Sequence, residues 1–200
     1  MCYHDILPEK TAPYINNFGV KYKDYNYSNE VIEKVAQLIK DDKIIGICNG
    51  YGEAGPRALG NRSILARADS NGIAEKVSRK IKDREWYRPI VPVMLKKHAV
   101  NFTGLHNFPE ATKYMLFDFK IRNEYVKELA GVVHADWTSR IQILEEKKSN
   151  PFLYDLLECC YEKHKMRALI NTSFNKRNLL FILQMMLFTH IKRQGLMHWF

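Results

Sequence analysis

The chain of 200 residues is long enough for one domain with an extension, and its hydrophobic fraction of 46% and aromatic fraction of 12% exclude global disorder. Its formal charge of +9 favours anionic ligands, but residues 163–200 supply seven Lys or Arg and no acidic residue. Residues 1–162 carry 24 basic and 22 acidic side chains, so this body is a poor candidate for a general nucleic-acid surface.

The first elements in chain order are an extended lead-in, a helix and a strand. Residues 1–27 are irregular and rich in tyrosine. Ser28 can cap a helix that runs to about Asp41, because apolar residues recur there at helical spacing. The apolar run 43–49 predicts a buried strand, and the polar loop 53–63 follows it.

The middle of the chain predicts one helix and three strand regions. Apolar residues four apart indicate a helix from about Asn71 to Lys82. Residues 90–95 predict a strand in which Pro92 indicates an edge or a bulge. We expect a further strand over 114–121, and a strand region over 131–144 that is interrupted at 134–140.

The last predicted elements are a helix and a strand. Pro151 can begin a helix, and residues 166–170 predict a buried strand that the polar stretch 171–175 follows directly. Mixed helices and strands imply a layered α/β or α+β domain over 28–177. Residues 178–200 form a divergent tail with an apolar run over 179–188, which is too short to span a bilayer.

The cysteines indicate the compartment of the protein. Cys2, Cys48, Cys159 and Cys160 form no CxxC pair, and adjacent cysteines on a helix make a poor disulfide. The N-terminus lacks the charged and apolar regions of a signal peptide. We therefore expect a reduced, cytoplasmic setting and no membrane partner.

The loop 53–63 has the composition of an anion-binding loop. Gly55 and Gly60 permit close approach of a ligand to the main chain, Pro56 stiffens the loop, and Arg57 and Arg62 offer planar forks suited to phosphate or carboxylate. A turn with solvated arginines has the same composition. Because polar residues also follow other predicted strands at 134–140 and 171–175, we expect one shared site at the strand ends.

Four sequence blocks, in order and with matching spacing, resemble the C-terminal domain of the nodulation-type O-carbamoyltransferases, which include the antibiotic carbamoyltransferases. The blocks are GEAGPRALGNRSI at 52–64, IKDREWYRPIVPV at 81–93, HADWTSRIQ at 134–142 and NTSFN at 171–175. The resemblance covers roughly residues 28–177. It implies a YrdC-like fold, a twisted mixed sheet flanked by helices.

The resemblance also implies chemistry. Members of that family use carbamoyl phosphate and ATP to form carbamoyl-adenylate in this domain, and Mg²⁺ would arrive with the ATP. A separate N-terminal domain with its own metal site then transfers the carbamoyl group to a hydroxyl. The chain is similar to the adenylate-forming half alone, so a separate transferase domain is an expected partner.

The site residues follow from matching this sequence to the family blocks. Arginines at three blocks are expected to converge on phosphate or on the carbamoyl group and to act in catalysis: Arg57, Arg88 and Arg140. Polar side chains are expected to bind substrate: Arg62, His134, Asp136, Asn171, Thr172, Ser173 and Asn175. Lys82 and Arg84 are expected to guide the nucleotide phosphates. Surface ion pairs and a polar turn remain the alternatives.

Two further features bear on the site. His134 and Asp136 supply two ligands on one side of a strand, whereas a metal site needs three or four, so we predict no protein-held metal. Trp137 stands where the family usually has glycine, and after Arg177 the family pattern ends. A shifted reading frame or a degenerate terminus is our hypothesis for that tail.

Three functions remain open from the sequence. The first is an adenylate-forming enzyme domain, the second is a remnant that binds nucleotide or carbamoyl phosphate without turnover, and the third is an RNA-binding module. The nearly neutral body disfavours the third.

Overall fold

The computed structural model describes residues 28–49, 53, 55–85, 88, 90–173 and 197–199, and for Cys48 and 197–199 it describes the backbone alone. The lead-in 1–27, Asn175 and most of the tail therefore lie outside the described residues. The helices are α1 Asn29–Lys40, α2 Asn71–Glu75, α3 Lys96–Thr103 and α4 Pro151–His164. The strands are β1 Ile44–Cys48, β2 Arg62–Arg67, β3 Val91–Leu95, β4 Asp118–Lys120, β5 Thr138–Arg140, β6 Gln142–Leu144, β7 Ala168–Ser173 and β8 Met197–Trp199.

A six-stranded mixed sheet organises the domain, and its strand order is β6-β3-β7-β2-β1-β8. The central strands β1, β2, β7 and β3 pair antiparallel in turn, whereas β6 runs parallel to β3 and β8 runs parallel to β1. Strands β4 and β5 form a separate antiparallel pair. A mixed sheet with flanking helices is the predicted fold class.

Alternating apolar residues give the sheet a buried layer on each face. On one face Ile45, Leu65 and Leu169 pack with the apolar sides of α1 and α4. On the other face Ile64 and Ile170 pack with residues of α2 and α3 and of the segments that follow them. Burial on both faces explains why the strands are nearly continuous apolar runs.

The two long helices begin where their capping residues predict. The Ser28 hydroxyl accepts a hydrogen bond from the Val31 N–H at 3.4 Å, and Asn150 caps α4 by accepting from the Leu153 N–H at 3.0 Å, one residue before Pro151. The predicted helix over 71–82 is α-helical only to Glu75. It continues as a wider π-helical turn over Lys76–Ile81.

Three strand predictions need correction. The strand expected over 114–121 spans only 118–120, because Glu110–Tyr114 is a 3₁₀ turn that ends at Met115 with a φ of +58°. The region 131–144 is strand only from Thr138 onward. Pro92 lies neither at an edge nor in a bulge: β3 is an inner strand, and its pairing with β6 begins only at Val93. The missing Pro92 N–H therefore costs no ladder bond on that side.

Within the part of the chain that the structure describes, no helix combines the length and apolar character that crossing a membrane requires.

The loop 55–61 packs against the start of α4 at Gly60. Gly60 has a φ of +123°, and a Cβ at that position would lie 2.6 Å from Leu153 Cδ2 and 2.8 Å from Asn150 Nδ2. Gly55 in the same loop has a φ of +114°, but a Cβ at Gly55 would meet no atom within 4 Å. A side chain at Gly60 would therefore meet both backbone strain and a steric clash, whereas a side chain at Gly55 would meet backbone strain alone.

Gly60→Ala is expected to lower the free energy of unfolding by about 2–4 kcal/mol, because the methyl adds overpacking to the strain of a left-handed backbone. Gly55→Ala is the matched control and is expected to cost only about 1 kcal/mol. Urea unfolding of both variants measures the difference. Equal costs would contradict the close packing of Gly60 on α4.

A buried histidine lies between α3 and α4. His98 is 3% exposed, its ring centroid is 4.4 Å from that of Tyr161, and neither ring nitrogen has a hydrogen-bond partner. Burial, with the positive charges of Lys97 and Arg167, lowers the pKa of His98 to about 4. The folded protein therefore keeps this imidazole neutral under conditions in which an unfolded histidine takes up a proton.

The depressed pKa of His98 predicts a loss of stability in mild acid. Between pH 7.5 and 5.5 the unfolded chain binds the proton and the folded chain does not, so the free energy of unfolding should fall by about 1 kcal/mol from this group. Urea unfolding at the two pH values measures the change. His98→Phe keeps an aromatic ring beside Tyr161 and should remove that part of the pH dependence; an unchanged dependence would contradict the assignment.

Candidate functional site

The strand directions bring the four sequence blocks to one end of the sheet. Strands β1 and β7 end there, whereas β2, β3 and β6 begin there. The described residues that flank this end are therefore those just before β2, those just before β3, the start of β6 and the end of β7. One correction concerns the last of these: Asn171, Thr172 and Ser173 belong to β7 itself rather than following it.

A carboxylate inside the loop holds its shape. Glu53 accepts hydrogen bonds from the backbone N–H groups of Leu59 at 2.6 Å, Asn61 at 2.8 Å and Arg62 at 3.1 Å. Three N–H groups on one carboxylate form a nest that fixes the turn between β1 and β2. Glu53 was not among the predicted site residues, although its position at the head of the first block was a usable signal.

Arg62 closes the same loop against the end of β1. Its guanidinium donates to the carbonyl of Asn49 at 2.8 Å and to that of Asn61 at 3.0 Å. These bonds are structural. The expected contact of Arg62 with substrate stays a prediction.

A pair of buried amides supports the loop from the sheet. Gln142, the first residue of β6, donates from Nε2 to the Leu59 carbonyl at 2.9 Å. Asn171 of β7 donates from Nδ2 to the Ala58 carbonyl at 3.1 Å and to Gln142 Oε1 at 2.6 Å. Asn171 was expected at the site, whereas Gln142 was missed even though it ends the block HADWTSRIQ.

Lys82 brings a buried ammonium to the end of β7. The residue is 1% exposed, and Nζ donates to the Ser173 carbonyl at 2.5 Å and lies 3.2 Å from Ser173 Oγ. Burial, with the nearby charge of Arg84, lowers the pKa of Lys82 to about 7. Two predicted residues from blocks that are distant in sequence, Lys82 and Ser173, are thus in direct contact.

Three arginines form a cationic group beside this lysine. Burial lowers the pKa of Arg84, and the positive charges of Arg88 and Arg57 lower it further. Arg57 and Arg88 are exposed, and Arg88 Nε lies 2.9 Å from the carboxylate of Glu85. The structure therefore places Arg57 and Arg88 within electrostatic range of Arg84, and an anion beside Arg84 would relieve this repulsion.

Arg140 is held differently from the other arginines. Its Nε and one terminal nitrogen lie 3.1 and 3.0 Å from the two carboxylate oxygens of Asp118, across the β4–β5 pair. This two-point ion pair orients the guanidinium and neutralises part of its charge. The convergence of Arg140 with Arg57 and Arg88 on a ligand stays a prediction.

A hydrogen-bonded turn joins His134, Asp136 and Thr138. Asp136 Oδ1 accepts from the Thr138 N–H at 3.0 Å and from its hydroxyl at 2.7 Å, which lowers the pKa of Asp136. Because that hydroxyl gives its proton to Asp136, its oxygen accepts from His134 Nδ1 at 3.0 Å, so Nδ1 carries a proton. Among the residues that the structure describes, no three His, Cys, Asp or Glu side chains form a metal-binding group.

Trp137 occupies the last position of that turn. Its N–H donates to the His134 carbonyl at 3.0 Å, its φ is +67°, and its side chain is 40% exposed. The backbone thus adopts the left-handed conformation that glycine favours, at a strain cost of about 1 kcal/mol. The tryptophan does not change the turn, and its indole projects to the surface.

The comparisons with known proteins agree with the four blocks. The family model described as carbamoyltransferase C-terminus matches residues 36–190. An uncharacterized protein of Methanocaldococcus jannaschii is 32% identical over 86% of this chain and 33% of its own length. The nodulation protein NolO of Bradyrhizobium diazoefficiens is 32% identical over 76% of this chain and 28% of its own length.

A solved structure shares the fold. The crystal structure of full-length HypF in the phosphate- and nucleotide-bound form superposes with a TM-score of 0.52 at 20% identity, over 80% of this chain and 19% of HypF. This likeness shows a YrdC-like fold. The chain spans about a third or less of the length of these relatives. The extent of the family match, with the order of the four blocks, shows that the chain belongs to the carbamoyltransferase C-terminus family.

Proposed function

We propose that this domain binds carbamoyl phosphate and ATP at the described end of the sheet and forms carbamoyl-adenylate. The reaction consumes one water and releases inorganic phosphate from carbamoyl phosphate and pyrophosphate from ATP. Transfer of the carbamoyl group to a hydroxyl would take place on a separate transferase domain. Mg²⁺ would bind through the phosphates of ATP. The carbamoyltransferase family and the nucleotide- and phosphate-bound HypF relative in fold support this choice.

The observation that carries the proposal is the concentration of positive charge around Lys82. Arg57 and Arg88 act electrostatically on Arg84, Arg84 acts on Lys82, and the Lys82 ammonium is buried beside Ser173. Transfer to and from phosphates depends chiefly on positioning and on neutralising negative charge, which such a group supplies. The Ser173 hydroxyl can add a neutral hydrogen bond to the same ligand.

A binding module without turnover is the second candidate. Trp137, which stands where the resembled family usually has glycine, is the observation that favours it. Pyrophosphate release from ATP in the presence of carbamoyl phosphate separates the candidates. Release supports the enzyme, whereas binding of both ligands without release supports the module.

Removing an arginine should weaken the binding of carbamoyl phosphate. Arg57→Ala and Arg88→Ala are each expected to raise the dissociation constant by about 10- to 100-fold, because each loses a charge-assisted hydrogen bond worth about 1.5–3 kcal/mol. Arg140→Ala tests the third predicted arginine in the same way. Isothermal calorimetry supplies the measurement.

Arg122→Ala is the matched control for these variants. Arg122 is 51% exposed and pairs with Glu124 at 2.7 Å, much as the 58% exposed Arg88 pairs with Glu85. Its loss should leave the dissociation constant within about twofold of the wild-type value. Native affinity in both Arg57→Ala and Arg88→Ala would rule out the proposed site.

The pKa of Lys82 predicts how the affinity depends on pH. Since the ammonium is charged below about pH 7 and loses its proton above it, an anion that prefers the charged form should bind roughly tenfold more weakly per pH unit above 7. Binding near pH 8 should then take up a proton. Calorimetry of carbamoyl phosphate in two buffers of different ionisation enthalpy measures that uptake.

Lys82→Met is the companion variant for this prediction. It should bind more weakly at pH 7 and show neither the steep pH dependence nor the proton uptake. A wild-type affinity that stays constant from pH 7 to 9 would contradict a role for the Lys82 charge in anion binding.

A further inference from the structure

The buried amide pair joins three separate segments at the ligand end of the sheet. Gln142 begins β6 and Asn171 lies in β7, and each is 1% exposed. Strand β3 runs between them, with Val93 opposite Gln142 and Val91 opposite Asn171. Their side chains meet above β3 and continue to the loop, where they reach the carbonyl groups of Ala58 and Leu59.

The hydrogen bonds allow each amide a single orientation. The Leu59 carbonyl only accepts, so Gln142 must turn Nε2 toward it and Oε1 toward Asn171. Asn171 must then present Nδ2, which serves Gln142 Oε1 and the Ala58 carbonyl together. Turning Gln142 by half a rotation would break the bonds at both ends of its amide, and turning Asn171 would break both bonds of its Nδ2, so the two amides hold each other in register.

The supported carbonyls immediately follow Arg57 in the chain. Ala58 is buried, whereas Arg57 itself is exposed and lies close enough to Arg84 to affect its charge equilibrium. The amide pair therefore sets the backbone from which the Arg57 side chain extends. Glu53 accepts hydrogen bonds from backbone N–H groups of the same loop. The loop is therefore held through its N–H groups by Glu53 and through its carbonyl groups by the amide pair.

We propose that Gln142 and Asn171 act as one positioning unit, which fixes the backbone of residues 57–59 and so directs Arg57 toward the anion. The ligand part rests on the proposed function. Gln142 does not touch the ligand: it acts through Asn171, the loop and Arg57. If the two amides only stabilised the fold, replacing one of them would lower the free energy of unfolding, and its effect on ligand affinity would not depend on Arg57.

The test measures carbamoyl-phosphate affinity and hydrogen exchange together. Gln142→Met keeps an unbranched side chain of similar size but removes both hydrogen bonds. It is expected to raise the dissociation constant roughly 5- to 30-fold and to speed amide exchange over 57–62 in the ligand-free protein. In the Arg57→Ala background, Gln142→Met should change the affinity no further, because its effect passes through Arg57.

Thr112→Val is the control for loss of a buried hydrogen bond elsewhere. Thr112 is 4% exposed, and its hydroxyl donates to the Pro109 carbonyl at 2.7 Å. This variant should leave both the affinity and the exchange over 57–62 unchanged. If Gln142→Met does not fold, Asn171→Ser tests the same unit from β7 with the same readouts.

The outcomes separate this inference from the proposed function. Native exchange over 57–62 in Gln142→Met, or a full additional loss of affinity in the Arg57→Ala background, overturns the positioning unit. If the wild-type protein binds no carbamoyl phosphate, the proposed function fails. The exchange measurement then still tests whether the amide pair fixes the loop. Faster exchange over 57–62 in Gln142→Met but not in Thr112→Val supports the unit, and equal exchange rates in the two variants overturn it.

Discussion

The Ala58 carbonyl is buried at the end of the sheet and the Leu59 carbonyl beside it is partly buried, and the candidate site depends on their having donors. A buried carbonyl without a hydrogen bond would cost about 1–3 kcal/mol, so the loop could not pack there unaided. Gln142 and Asn171 provide the donors. Since these amides come from β6 and β7, the loop lies correctly only when the sheet has its native strand order.

The electrostatic arrangement at this end shows two kinds of arginine. Arg62 and Arg140 are committed to partners within the protein, the first to backbone carbonyls and the second to the carboxylate of Asp118. Lys82 and Arg84 instead lie where burial and neighbouring positive charge destabilise their protonated forms. Such a region favours anionic ligands, because an anion would offset that positive charge.

The sequence predicted the features that local chemistry determines. Ser28 and Pro151 marked the starts of helices, and apolar runs marked β1, β3 and β7, because capping and burial depend on neighbouring residues. The shortened strand at 118–120 was missed because the alternation over 114–121 continues through a 3₁₀ turn and the left-handed Met115. The prediction of an edge or a bulge at Pro92 was wrong because the consequence of a missing N–H depends on where the neighbouring strand begins, and β6 pairs with β3 only from Val93 onward.

The candidate site was predictable in outline for a similar reason. Polar blocks after apolar runs pointed to Arg57 and Ser173 at one end of the sheet and the family block 81–93 added Lys82; the contact between Lys82 and Ser173 agrees with that outline. Glu53 and Gln142 were missed, although both lie within the recognised blocks, because they act mainly on main-chain groups of the loop, whose path the sequence does not show. Their roles follow only from the path of the loop.

The position of β7 has a consequence for how the protein is made. This strand lies between β2 and β3, and its Asn171 bonds to Ala58, which lies 113 residues earlier in the chain. During synthesis from the N-terminus, β2 and β3 emerge well before the strand that joins them. Until β7 leaves the ribosome, both strands present unpaired edges that invite association with other chains. The nascent protein is therefore most vulnerable to aggregation just before its site can form.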